Sequence, residues 1–140
     1  MSLWILDTDS LSLLQRENLN LTRRISAINP EQIAVTIVTA EEQLRGRLDT
    51  IRRASSGNDL TLAYVRLWNT LEDFKQLNLL DFTPEASNIY EGLLRERIRI
   101  GTRDLRIAAI TLSVNGIIVT RNYKDFAKIP NLRIEDWTVN

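Results

Sequence analysis

Histidine and cysteine are both absent from the 140 residues. Without thiols there is no disulfide framework, no redox compartment to infer and no thiolate nucleophile. Without imidazole the chain lacks the side chain most often used as a general base. Zinc centres built on sulfur or ring nitrogen are excluded as well. Any reactive group must therefore come from Asp, Glu, Lys, Arg, Ser, Thr or Tyr. Oxygen donors of that kind suit hard cations such as Mg²⁺ and Mn²⁺. An excess of either charge is missing too: 18 basic residues face 18 acidic ones. Nucleic-acid binding would have to rest on a local basic patch, not on overall charge. No apolar run approaches the ~20 residues that a membrane-spanning helix needs. The first residues lack the basic start and apolar core of a secretory signal, so a cytoplasmic location is the expectation.

What remains is ordinary for a globular chain, 44% hydrophobic and 26% charged, and the expectation is one domain over residues 1–140. The run Trp4-Ile5-Leu6 ends abruptly at Asp7-Thr8-Asp9, which reads as a buried parallel strand with acids at its carboxyl end. Short helices follow over Ser10–Arg16, with Leu11, Leu13 and Leu14 inward, and over Leu19–Ile28, closed by Asn29-Pro30. Ile33-Ala34-Val35 is a second strand, leading through Val38 and Thr39 into a long helix carrying Leu44, Leu48 and Ile51. Ser55-Ser56-Gly57-Asn58 is a polar turn between two helices, the second running from Asp59 to Lys75 on Ala63, Leu67, Leu71 and Phe74. Trp68 and Tyr64 are expected in the core or on a dimer surface. Leu79 to Phe82 is a third strand; Thr83-Pro84 opens a helix with basic residues at its end. Gly101 breaks the chain and Thr102 is expected to cap an apolar helix from Leu105 to Val114, ended by Gly116. Ile117-Ile118-Val119 is a fourth strand, a short helix follows around Tyr123–Ala127, and Leu132–Ile134 is an edge strand. Strands alternating with helices predict an α/β fold, a mostly parallel sheet covered by helices on both faces.

Ligands in such sheets bind beyond the carboxyl ends of the strands. Asp7 follows the first strand, and Asp125 follows the fourth within Thr120-Arg121-Asn122-Tyr123-Lys124-Asp125. Glu42 is expected in the first turn of the helix after the second strand, and Asp104 in the first turn of the helix opened by Thr102. Parallel strands would bring all of them to one edge. Carboxylates ~5 Å apart at an effective dielectric of 20 repel by about 3 kcal/mol per pair, so such a cluster holds either protons or a cation. Taken singly, each acid has a plainer reading. Asp7 and Asp9 suit a helix N-cap, and Glu42 and Asp104 suit a helix N-terminal turn. Glu41 competes with Glu42, because adjacent helix positions cannot face the same point. Arg103, Arg106, Arg121 and Lys124 stand beside the acids in sequence; each suits a nucleic-acid phosphate or simply solvent.

Read in order, Leu6-Asp7-Thr8-Asp9, Thr39-Ala40-Glu41-Glu42-Gln43-Leu44-Arg45-Gly46, Ile100-Gly101-Thr102-Arg103-Asp104-Leu105-Arg106-Ile107-Ala108-Ala109, Thr120-Arg121-Asn122-Tyr123-Lys124-Asp125-Phe126 and the terminal Leu132–Trp137 resemble the PIN-domain family, specifically VapC-type toxins of bacterial toxin–antitoxin pairs. The resemblance spans essentially the whole chain. It implies a three-layer α/β/α domain with Mg²⁺- or Mn²⁺-dependent endoribonuclease activity. It places the family's acids on Asp7, Glu42, Asp104 and Asp125, as metal and catalytic residues. Its Thr-x-x-Glu pattern followed by Gly four residues on falls on Glu42 and disfavours Glu41. Thr120 and Asn122 match polar residues that support the acids. Asp9 falls where the family often has Asn, so it matches a supporting position. The resemblance also implies an RNA substrate, a cognate antitoxin and a homodimer. Two other readings stay open. Asp7-Thr8-Asp9 also resembles the start of haloacid-dehalogenase phosphatases, with Asp7 as nucleophile and Asp9 as acid. The same fold could also bind RNA or protein without cutting it.

Overall fold

Five strands lie in the order β3-β2-β1-β4-β5, and every neighbouring pair is parallel. They are β1 (Trp4–Leu6), β2 (Ile33–Thr36), β3 (Asn78–Leu80), β4 (Ile117–Val119) and β5 (Arg133–Glu135). The coordinates are a computed structural model that describes residues 2–139. The helices are α1 (Thr8–Gln15), α2 (Leu19–Ser26), α3 (Ile37–Arg53), α4 (Gly57–Gln76), α5 (Pro84–Arg95), α6 (Thr102–Ser113) and α7 (Tyr123–Phe126). The expected mostly parallel sheet is thus parallel throughout the described strands. From the central β1 the order runs to β2 on one side and to β4 on the other. That divergence makes the β1/β4 boundary the switch point, where parallel α/β sheets open a crevice.

Strand alternation builds the three layers. Ile5, Ala34 and Ile118 point to one face and pack under α5, α6 and α7 with Leu93, Ile107, Ile110 and Phe126. Leu6, Val35 and Val119 point to the other, under α1, α2 and Trp137, with Leu11 and Leu21. The helix α6 is the most enclosed: Ile107 through Ile110 are fully buried. Burying side chains such as Ile107 and Ile110 contributes about 1.5–3 kcal/mol each. Gly116 is small for a reason of packing. A Cβ there would run into the Ile5 side chain and crowd the Leu3 carbonyl. The left-handed turn that ends α6 is taken instead by Asn115, at φ 53°.

Several expectations shift. The helix α1 begins at Thr8, because Asp7 caps it by accepting the Ser10 N–H at 2.8 Å. Pro30–Gln32 forms a 3-10 turn capped by Asn29. The helix α3 leaves β2 with no loop, since Thr36 accepts the Thr39 N–H; Glu42 therefore sits in its second turn, not its first. The third strand is Asn78–Leu80: it starts one residue before Leu79 and leaves out Asp81 and Phe82, while Thr83-Pro84 opens α5 as expected. At α6 the cap is Gly101, and Thr102 is already helical. The last strand extends past Ile134 to Glu135 at the sheet edge. Leu48 and Leu71, assigned inward by periodicity, are exposed, as are Tyr64 and Trp68, at 55% and 67%. Of the two expectations for Trp68 and Tyr64, their exposure overturns the core and leaves the dimer surface. Their stripe lies beside the buried face of α4, which Ala63 and Thr70 mark.

Candidate functional site

A cleft of about 610 Å³ opens at the carboxyl end of the sheet, lined by Asp7, Thr8, Asp9, Ser12, Glu42, Asp104, Arg121 and Asn122. It lies over the β1/β4 boundary, as the topology requires. Asp7 is held rigidly. One oxygen caps α1, and the other accepts the Thr120 hydroxyl at 2.6 Å. The Asp7 N–H donates to the Val119 carbonyl, and so does the Ser10 hydroxyl, tying β1 to β4 beneath it. Burial pushes the Asp7 carboxyl above its ordinary pKa, while the Thr120 and Ser10 hydrogen bonds pull it back in part.

Glu42 reaches the cleft from α3. Its Oε1 accepts the Thr8 hydroxyl at 2.7 Å, and its Oε2 lies 3.6 Å from the Arg103 guanidinium. Glu41 points elsewhere, pairing with Arg45 at 2.9 Å on the exposed side of the same helix. Asp104, in the first turn of α6, has its pKa pushed up to about 6. The main cause is burial, followed by the charges of Asp7, Glu42 and Asp125 in that order. Asp125 sits at the rim and does not line the cleft itself. It accepts the Asn122 side-chain N–H at 3.0 Å and lies 3.6 Å from Lys128, and these contacts hold its pKa below the ordinary value. Asn122 in turn donates its backbone N–H to the Thr120 hydroxyl.

Of the other singled-out residues, Arg121 lines the cleft and grips both oxygens of Asp9, at 2.8 and 3.0 Å. Asp9 thus lines the cleft paired with a cation. Arg103 is at the Glu42 side. Lys124 is exposed on α7, close enough to lower the pKa of Asp125. Arg106 is not at the cleft: it lies over the Tyr90 ring, 5.4 Å from its centroid, in a separate apolar cavity. Thr8 is the residue that sequence reasoning missed. It sits inside a quoted motif, and its position one residue past Asp7 was the available signal.

The acids converge electrostatically without closing on a point. Among the described residues no three of them gather tightly enough to ligate one ion as they stand. The donor set still fits a hard divalent cation. Mg²⁺ keeps several waters and needs only one or two carboxylates directly. Among the described residues neither Asp7 nor Asp104 pairs with a cation of the protein.

A parallel α/β/α sheet with acids gathered over its switch point defines the PIN-like class of domain. Comparison with known proteins makes this specific. The chain is 33% identical over 136 residues to the Rickettsia bellii protein named ribonuclease VapC, covering 93% of this chain and 92% of that protein. It is 32% identical over 119 residues to the Salmonella typhimurium tRNA(fMet)-specific endonuclease VapC, covering 73% of this chain and 89% of that one. The fold matches the DNA-bound VapBC structure from Salmonella typhimurium with a TM-score of 0.77 at 25% identity, covering 98% of this chain and 99% of that one. The chain belongs to the VapC ribonuclease family. No protein-family model matches it. No helix in the described residues is long and apolar enough to cross a membrane.

Proposed function

We propose that this chain is a divalent-metal-dependent endoribonuclease, the toxin of a toxin–antitoxin pair. The observation that carries the reading is the cleft at the carboxyl end of the sheet, which Asp7, Glu42 and Asp104 line together. The VapC relatives, named ribonuclease and endonuclease, supply the reaction class. Asp7 and Asp104 would hold Mg²⁺ or Mn²⁺, with Glu42 and Asp125 completing the set directly or through water. When bound, the ion supplies Lewis-acid stabilisation of the phosphodiester and activation of water. Thr120 and the α1 cap fix Asp7 so that it does not reorganise during turnover. Thr8 holds Glu42 in the cleft, and Asn122 holds Asp125 at its rim. Arg103 and Arg121 flank the acids and would take phosphate oxygens on either side. A cognate antitoxin and a homodimer belong to the reading through the family.

Incubation of purified protein with RNA tests this. Cleavage that requires Mg²⁺ or Mn²⁺, stops with EDTA and is lost in Asp7→Asn and Asp104→Asn is the expected result. Asn is as good an N-cap as Asp, so Asp7→Asn leaves α1 intact. RNA that stays whole with every metal while still binding would favour the non-catalytic alternative. The phosphatase alternative predicts phosphomonoester hydrolysis with Asp9 as acid, a role opposed by its two-point grip on Arg121.

A further inference from the structure

A second groove, of about 460 Å³, adjoins the acid cleft and shares Thr8, Ser12 and Glu42 with it. It runs between α1 and α3, and its far walls carry Arg16 and Arg47. Among the described residues neither guanidinium makes an ion pair; the eight salt bridges involve other cations. Arg47 is half-buried, and its Nε donates to the Thr70 hydroxyl at 2.9 Å. Thr70 is itself buried and donates onward to the Arg66 carbonyl. One edge of the Arg47 guanidinium is therefore fixed by neutral groups, which leaves its other N–H donors for a ligand. The groove floor is neutral as well: Gln15 and Gln43 exchange side-chain hydrogen bonds at 2.9 and 3.2 Å. Asp73 touches Gln15 from the neighbouring cavity and does not line this one. Glu42, at the boundary with the cleft, is occupied by Thr8 and Arg103. A half-buried, oriented cation with no counter-ion, in a groove continuous with a carboxylate cleft, calls for an anion from outside the chain.

We propose that this groove is a phosphate track for single-stranded RNA, in which Arg47 and Arg16 hold the backbone a nucleotide or more away from the bond being cut. The inference rests on the ribonuclease reading and extends it to residues that no sequence motif marks. RNA fits better than an acidic peptide because a strand lying across the acids must leave the cleft, and this groove shares its walls.

The test is fluorescence anisotropy with a labelled 12-nucleotide single-stranded RNA and a dinucleotide. The full chain carries Asp104→Asn, with EDTA present, so that nothing is cut. Arg47→Gln should weaken 12-mer binding about tenfold and lower the slope of log affinity against log salt by ~0.7, the value for one lost phosphate contact on a single strand. Arg16→Gln should act in the same direction, less strongly. Arg47→Lys should restore much of the slope. Arg53→Gln, whose guanidinium pairs with Asp49 at the far end of α3, should match the parent, and dinucleotide binding should be unchanged in all. Parental 12-mer affinity and slope in Arg47→Gln would overturn the track. So would equal losses for both RNA lengths, or a groove that binds poly-glutamate through Arg47 but not RNA; each of these leaves the ribonuclease reading standing. A parent that binds neither RNA would sink the ribonuclease reading, and the track with it.

Discussion

The same two helices line two cavities of similar size and opposite chemistry. From α3, Glu42 enters the acid cleft of about 610 Å³, while Ile37, Val38 and Glu41 line an apolar cavity of about 520 Å³. From α6, Asp104 enters the first and Arg106 the second. One or two residues along a helix turn a side chain by 100–200°, enough to move it from one cavity to the other. The difference teaches where chemistry accumulates. In the apolar cavity Glu41 pairs with Arg45, and Arg106 lies on Tyr90. In the cleft Arg103 and Arg121 answer Glu42 and Asp9, while Asp7 and Asp104 pair with no cation among the described residues.

The sharpest way to break this contrast is substitution in α6. Asp104→Asn should lower RNA cleavage by about a thousandfold or more, as loss of a group that stabilises transition-state charge does. Arg106→Gln, two residues on, should leave cleavage within about twofold, since its guanidinium rests on an aromatic ring. Equal losses in single-turnover assays would erase the distinction between the cavities.

The same test on α3 should give a smaller gap. Glu42→Gln keeps an acceptor for Thr8 but removes the charge, and should cost about a hundredfold in rate. Glu41→Gln should be near neutral, since exposed i,i+4 pairs contribute only about 0.3–0.5 kcal/mol. Rate measurements at saturating metal decide it; a larger loss from Glu41→Gln would reverse the assignment.

Stability against pH sharpens the comparison further. Burial and the neighbouring acids push the folded Asp104 carboxyl up to about 6 from an ordinary 3.8. Its ionised form is the one disfavoured by folding, so metal-free protein is more stable at low pH. That gain is lost as pH rises from 3.8 through 6. Asp104→Asn should accordingly stabilise the metal-free protein at pH 7.5 by about 1 kcal/mol once solvent screening is allowed for, and so raise its melting temperature. The gain should vanish near pH 4. Thermal melts at both pH values measure this, and no difference at pH 7.5 would mean that Asp104 carries no electrostatic strain. The smallest effect is expected from Arg106→Gln on stability, a loss of about 0.5–1 kcal/mol from its contact with Tyr90, read from the same melts.

Much of the frame was legible because its signals are local. Ile117-Ile118-Val119 is a strand to the residue, and Thr83-Pro84 starts α5 where cap and proline chemistry say it should. Asp7 was read both as a cap and as a site residue; one oxygen caps α1, and the other faces Thr120 in the cleft. Less legible were features that depend on what packs where. Leu48 and Leu71 keep helical spacing with buried neighbours yet lie outside the packed arc. Arg106 is adjacent in sequence to the acids but a full face away in space. The link from Thr8 to Glu42 joins residues 34 apart, and the grip of Arg121 on Asp9 joins residues 112 apart. No periodicity encodes partners at that separation. Gly101 displaced Thr102 as the α6 cap, with no side-chain hydrogen bond to announce it.

Titration of the purified protein with Mn²⁺, followed by the paramagnetic signal of the free ion, tests most directly whether the cleft is a metal centre. The account predicts a saturable site in the parent, weakened at least about tenfold by Asp7→Asn and by Asp104→Asn and unchanged by Glu41→Gln. Identical Mn²⁺ binding in the parent and in both Asn variants would contradict it.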